Sequence, residues 1–190
     1  MGVFLLFGSP GDLFAGSFET GGLTFSDELG GFRLISATGS GSPSDPIILV
    51  EEIFGMEPAV LTIRRSVVDG AKLPSGRVLL RSLVKVVINR SAWRWSGFDL
   101  ELRSDARQAS RYSDGLSFDQ IRLMRERMHS DLFAKARIED EPFDRLRFDQ
   151  GRVKPEQQVT LAFNLADINA RPVFYLAQQP IVLLATVSPN

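Results

Sequence analysis

The sequence predicts an all-β fold, an antiparallel β-sandwich with one short amphipathic helix. Three observations lead there. Short apolar runs recur with period-two alternation. Turn signals built on glycine, proline and aspartate separate them at intervals of about ten residues. A helical period appears in one segment alone. The pattern fits a jelly roll and a more open two-sheet arrangement equally well.

Residues 1–30 are set apart as an N-terminal arm rich in glycine and phenylalanine, and residues 31–190 as a single sandwich domain. In the arm, Gly8, Gly11, Gly16, Gly21, Gly22 and Gly30 punctuate short apolar stretches, as short strands and turns require. Phe32 to Ser36 reads as a strand and Thr38 to Asp45 as a loop. Pro46 to Ile53 and Ala59 to Arg64 are β-branched runs with Gly55 and Pro58 between them, which predicts a hairpin with a longer loop. Asp69-Gly70 and Pro74-Ser75-Gly76 mark further turns. Val78 to Asn89 is the strongest strand, with Val84, Val86 and Ile88 on one face.

Phe98, Leu100 and Leu102 alternate with Asp99, Glu101 and Arg103, the signature of a half-buried antiparallel strand. Trp93 and Trp95 fall in the other parity, so a β-bulge or turn is expected at Ser96-Gly97. Phe118, Ile121, Met124, Met128 and Leu132 step by three and four. Ser117 and Gln120 resemble a capping box, and the spacing predicts a helix over about 118–135. Glu141-Pro142 ends it. Strands resume at Arg145 to Phe148, Gln158 to Leu165, Val173 to Leu176 and Ile181 to Val187, with a turn at Asp149-Gln150-Gly151. Pro172 and Pro180 require strand starts or edges.

A chain of 190 residues, 44% hydrophobic and 24% charged, fits one globular domain with a sizeable core. Its net charge of -1 gives no field to draw it to nucleic acid or anionic lipid. Without cysteine, neither disulfides nor thiolate metal sites contribute. The N-terminus lacks a basic region and its apolar run is short, so no signal peptide is expected. Runs such as Val182 to Val187 are too short to span a bilayer. The compartment stays open.

No catalytic residue, cofactor or metal site is expected. His129 is the single histidine, an ordinary residue of the predicted helix. Nucleophile-elbow and phosphate-loop spacings are absent. Glu51 and Glu52 are adjacent, so a strand sends them to opposite faces. Glu139-Asp140-Glu141 reads as a solvated run, and Asp114-Gly115 and Asp69-Gly70 as turns rather than calcium loops. The binding candidates are Trp93, Trp95 and Tyr112, stacking faces for a sugar if exposed and core if buried. Phe4 and Phe7, in the arm, are the candidates for a protein partner.

The run Val87-Ile88-Asn89-Arg90-Ser91-Ala92-Trp93-Arg94-Trp95-Ser96-Gly97-Phe98-Asp99-Leu100-Glu101-Leu102 resembles a stretch of exported bacterial β-sandwich proteins, including those of the PEP-CTERM type. An Asn on a strand is followed by a small polar turn, a Trp, and an aromatic residue opening an acidic-apolar strand. Asp114 to Phe118, and Phe148 to Gly151 followed by 158–165, fit the same layout over about 84–180. The resemblance implies a surface or matrix sandwich without assigned catalysis, in which 118–135 is largely loop. The chain departs from it in lacking a signal peptide and in ending Val-Ser-Pro-Asn without anchor helix or basic tail.

The expected function is that of a non-catalytic structural or protein-interaction module. It would form a homo-oligomer or larger assembly through an arm that pairs with a neighbour's sheet edge. The alternative is a carbohydrate-binding module using Trp93 and Trp95. An enzyme with carboxylates assembled from distant strands comes third.

Overall fold

A computed structural model describes residues 15–66, 79–118, 128–139, 144–169 and 171–182. Two sheets stack face to face as a β-sandwich. Its strands are β1 (Ser17–Thr20), β2 (Leu23–Ser26), β3 (Phe32–Thr38), β4 (Ile47–Ile53), β5 (Ala59–Arg65), β6 (Leu79–Asn89), β7 (Trp95–Arg103), β8 (Leu116–Ser117), β9 (His129–Ser130), β10 (Phe133–Glu139), β11 (Arg145–Val153), β12 (Gln158–Asp167) and β13 (Val173–Val182). The first sheet runs β1-β2-β5-β13-β7-β11-β10, and the second β3-β4-β6-β12-β8 with β9 also on β12. Among the described strands, β4 and β6 form the parallel pair. Alternation explains the packing: Leu61, Phe98, Leu100, Phe148 and Phe174 of the first sheet bury against Leu34, Leu49, Leu83, Leu161 and Phe163 of the second. Strands β1 and β2 lie within the segment 1–30, and Leu23 and Phe25 of β2 belong to the core.

Several local expectations need correction. Residues 119–127 lie outside the described residues, but beyond them β9 and β10 are strands, so no helix continues to 135. The apolar spacing of Met128 and Leu132 serves another purpose there. Both pack against the core where the chain crosses from the second sheet to the first. The helical element among the described residues is a 3-10 turn, Tyr112–Asp114. The runs β4 and β5 are not a hairpin: one lies in each sheet. β-Branched composition marks a strand without choosing its partner, and the Phe54–Pro58 connection crosses the sandwich. Asp149-Gln150-Gly151 is not a turn either. Strand β11 runs through it with a bulge against β7, and Gln150 takes φ 62.

Other features follow the pattern. The bulge at Ser96 is present: Gly97 faces Ile181 and Trp95 faces Val182, leaving Ser96 the extra residue. Trp95 and Phe98 can therefore both point inward despite opposite parity. The separate strands expected at 173–176 and from 181 are instead one, Val173 to Val182, and Pro180 lies inside it. Pairing with β5 ends at Gln178 opposite Ala59, so that flank is open where proline offers no N–H.

Gly151 sits where the bulged β11 passes the β9–β10 crossing, and a Cβ there would collide with the Leu132 carbonyl oxygen. Gly55 has almost open space around it. Gly151→Ala should cost about 1–3 kcal/mol, and Gly55→Ala less than about 0.5 kcal/mol, in urea unfolding followed by intrinsic fluorescence.

Candidate functional site

Polar side chains inside the sandwich come first, because a core tolerates them only with partners. On β4 the inward row is Ile47, Leu49, Glu51 and Ile53; on β6 it includes Leu83, Lys85, Val87 and Asn89. Glu51 and Lys85 are 0% exposed. Lys85 Nζ donates to Glu51 Oε2 at 2.8 Å. From the opposite sheet, Gln178 Nε2 donates to the same oxygen at 3.2 Å. Burial pushes the Lys85 ammonium pKa below its usual value, and the adjoining Glu51 carboxylate opposes that shift. Glu51 Oε1 and Gln178 Oε1 have no hydrogen-bond partner among the described residues.

Glu51 and Glu52 do take opposite faces, yet both are buried. On the outer side, Glu52 accepts from Arg33 Nε and Arg90 Nε, each at 2.9 Å. The sequence reading missed Lys85. The available signal was parity: a lysine in the row of Leu83 and Val87, and a carboxylate in the row of Leu49 and Ile53.

Three more buried polar groups close the ends of the sandwich. Asp27 accepts from the Gly16 N–H at 2.6 Å and the Leu34 N–H at 2.7 Å, tying β2 to β3. Asp167 accepts from Arg65 at 3.0 Å, from Arg171 Nη1 at 2.9 Å and from the Arg171 N–H at 2.7 Å. Asn89 donates to the Trp93 carbonyl at 2.8 Å and accepts from the Ser91 hydroxyl at 2.6 Å. Ser91 Oγ in turn accepts the Trp95 indole N–H at 3.1 Å. Asn89, the turn at Ser91 and Trp95 are thus one hydrogen-bonded corner.

The sequence candidates scatter. Trp95 is fully buried, while Trp93 is 43% exposed, so the two indoles do not form one stacking platform. Tyr112 opens the 3-10 turn. Phe4 and Phe7 lie outside the described residues, as do Asp69-Gly70, Asp140 and Glu141. His129 is exposed on β9 opposite Ala162, not on a helix. Asp114-Gly115 is a turn: Gly115 has φ 88, and Asp114 Oδ1 accepts the Leu116 N–H at 2.8 Å.

The two outer faces differ in chemistry. The first sheet carries a lattice of cross-strand ion pairs. Arg147 clasps Asp99 with two bonds of 2.7 Å, Arg145 and Arg103 share Glu101, Arg137 meets Asp149, and Arg64 meets Glu28. The second sheet presents Ile48, Val50, Leu80, Val84, Val86 and Ile88 outward, with Ile35 at the β3 edge. Ile35 and Ile48 are each 40% exposed, and the others are partly exposed. Strand β12 adds Thr160 and Ala162 in register with Val86 and Val84. Among the described residues of β3, β4 and β6, charge on this face lies at the rim, where Glu52 is matched by Arg33 and Arg90. A shallow groove of about 360 Å³ lined by Pro43, Pro46, Val84, His129 and Ala162 adjoins this plane.

Among the described residues, no three or more His, Asp or Glu side chains converge as metal ligands, and no helix is long and apolar enough to cross a membrane. Comparison with family models, curated proteins and solved structures gives no match.

Burial would raise the Glu52 pKa, but the hydrogen bonds and charges of Arg90 and Arg33 outweigh it and hold the carboxyl below its usual range. Arg64 does the same for Glu28. The unfolded chain therefore binds these protons more readily. The stability is present above the ordinary carboxylate range and is lost as pH falls through the lower folded-state values. Thermal midpoints should drop below about pH 4, and Arg33→Gln/Arg90→Gln should flatten that part of the curve. A second outcome concerns the indoles. Trp95→Phe should cost about 1–3 kcal/mol through lost packing and the lost indole bond to Ser91, whereas Trp93→Ala should stay within about 0.5 kcal/mol, both by denaturant melts.

Proposed function

We propose that the chain is a non-catalytic interaction module that assembles with a second copy of itself across the outer face of the second sheet. The contrast between the two outer faces carries this reading: ion pairs line one, while the central strands of the other present Ile48, Val50, Val84, Val86 and Ile88. A contiguous apolar patch beyond a few hundred Å² is uncommon on a monomer and marks contact surfaces. Removing such a patch from water gains about 25 cal/mol per Å². Two sheets of this kind stack about 10 Å apart with strands within about 30°. A second copy is the partner of matching chemistry, because a neutral plane has no charge row to satisfy and complements itself about a two-fold axis.

The N-terminal arm supplies a second contact in this reading. It carries Phe4 and Phe7 and joins the described chain at Ala15. Ala15 lines a groove of about 700 Å³ with Gly31, Phe32, Arg33 and Phe54. The resemblance over 84–180 fits such a structural role.

Sedimentation equilibrium over a concentration series tests the proposal. The expected species is a dimer, and Ile48→Lys/Val86→Glu should weaken it at least about tenfold, or about 1.4 kcal/mol, with an unchanged far-ultraviolet circular dichroism spectrum. Deleting residues 1–14 separates the contacts: a weaker dimer gives the arm a share, and an unchanged one confines the contact to the sheet face. A wild-type monomer at the highest attainable concentration, or a charged variant that still pairs fully, would sink the idea.

A further inference from the structure

The interior holds chemistry that is independent of any partner. Lys85 and Gln178 come from opposite sheets, on β6 and β13, and their side-chain nitrogens converge on one oxygen of Glu51, at 2.8 Å and 3.2 Å. All three side chains are at most 1% exposed. An amine and a carboxamide that share one carboxylate oxygen, sealed from water, are the components of an amide exchange. We propose that Lys85 and Gln178 become joined by a self-generated isopeptide bond, with Glu51 carrying the protons.

Each chemical step can be assigned to one of these three groups. The nucleophile must be the neutral amine, and desolvation favours that form of a buried lysine. Proton transfer from the Lys85 ammonium to Glu51 within the ion pair yields amine and carboxylic acid without an external base. The protonated Glu51 then has a donor to offer the Gln178 amide. The amine nitrogen attacks Cδ of Gln178, and a nitrogen–carbon bond forms. As the tetrahedral centre collapses, the Cδ–Nε2 bond breaks. Glu51 takes the proton shed by the attacking nitrogen and returns one to the departing nitrogen, which leaves as ammonia. The balance is Lys-NH2 plus Gln-CONH2 giving Lys-NH-CO-Gln plus NH3, with no oxidant, reductant or cofactor.

Two physical effects favour it. Fixing the reactants in the fold replaces an encounter in solution by a proximate one, an advantage equivalent to very high local concentration. The product also exchanges a buried ion pair, costly in a low-dielectric interior, for a neutral amide and a neutral acid. The reaction need occur only once per molecule, and exclusion of water protects the new bond from hydrolysis.

The test is the intact mass of the purified full chain under denaturing conditions. The expected mass is lower than that of the sequence, allowing for removal of Met1, by one ammonia. Trypsin should fail to cut at Lys85 and should release residues 82–90 joined to the peptide holding Gln178. Lys85→Arg should show the full mass of its sequence, and so should Glu51→Gln if the carboxylate moves the protons. A wild-type chain of full mass, with Lys85 cleaved normally, would overturn the bond. An ammonia deficit retained in Glu51→Gln would overturn the role of Glu51. The wild-type measurement decides the first question even if neither variant folds.

Discussion

A lysine placed inside a sandwich commits the rest of the structure. In a low-dielectric interior its charge is tolerable only beside an opposite one, and Glu51 is that partner. The pair therefore fixes the register of the parallel strands β4 and β6, in which Leu49 faces Lys85 and Glu51 faces Val87. A slip of one residue would turn Glu51 to solvent and leave Lys85 stranded. The same commitment decides which face of β6 turns outward. The row of Val84, Val86 and Ile88 lies on the outside, while Leu83, Lys85, Val87 and Asn89 occupy the inside.

The remaining interior polar groups do related work at the two ends. Asp27 and Asp167 each accept backbone N–H donors from loops and strand starts. The Leu34 N–H, a buried donor, would otherwise lack a partner. Asn89 fills the corner between β6 and β7, and its amide meets carbonyls of both the Trp93 turn and β11. Together these contacts fix how the sheets close over the core, which alternation of apolar residues alone leaves free.

Much of the fold was legible because strand formation is local. Period-two alternation marked β3, β6, β7 and β12, and the parity change between Trp95 and Phe98 marked the bulge at Ser96. Pairing was less legible. Nothing in the runs 46–53 and 59–64 says that they belong to different sheets, and a sheet crossing at Met128 to Leu132 imitates a helical period. At the site, the divergence of Glu51 and Glu52 followed from strand geometry. The partners of Glu51 lie 34 and 127 positions away along the chain, so only the topology brings them together. The two tryptophans illustrate the same limit: identical residues two positions apart, one enclosed and one in water.

The edges of the sheets decide what kind of assembly this architecture tolerates. Strands β1 and β8 are short, β3 is bulged between Leu34 and Ser36, and β10 bears the exposed Lys135 and Arg137. Each device discourages strand-by-strand addition by another chain. Among the described residues, a second chain laid along these edges would therefore meet few consecutive backbone groups free to extend either sheet.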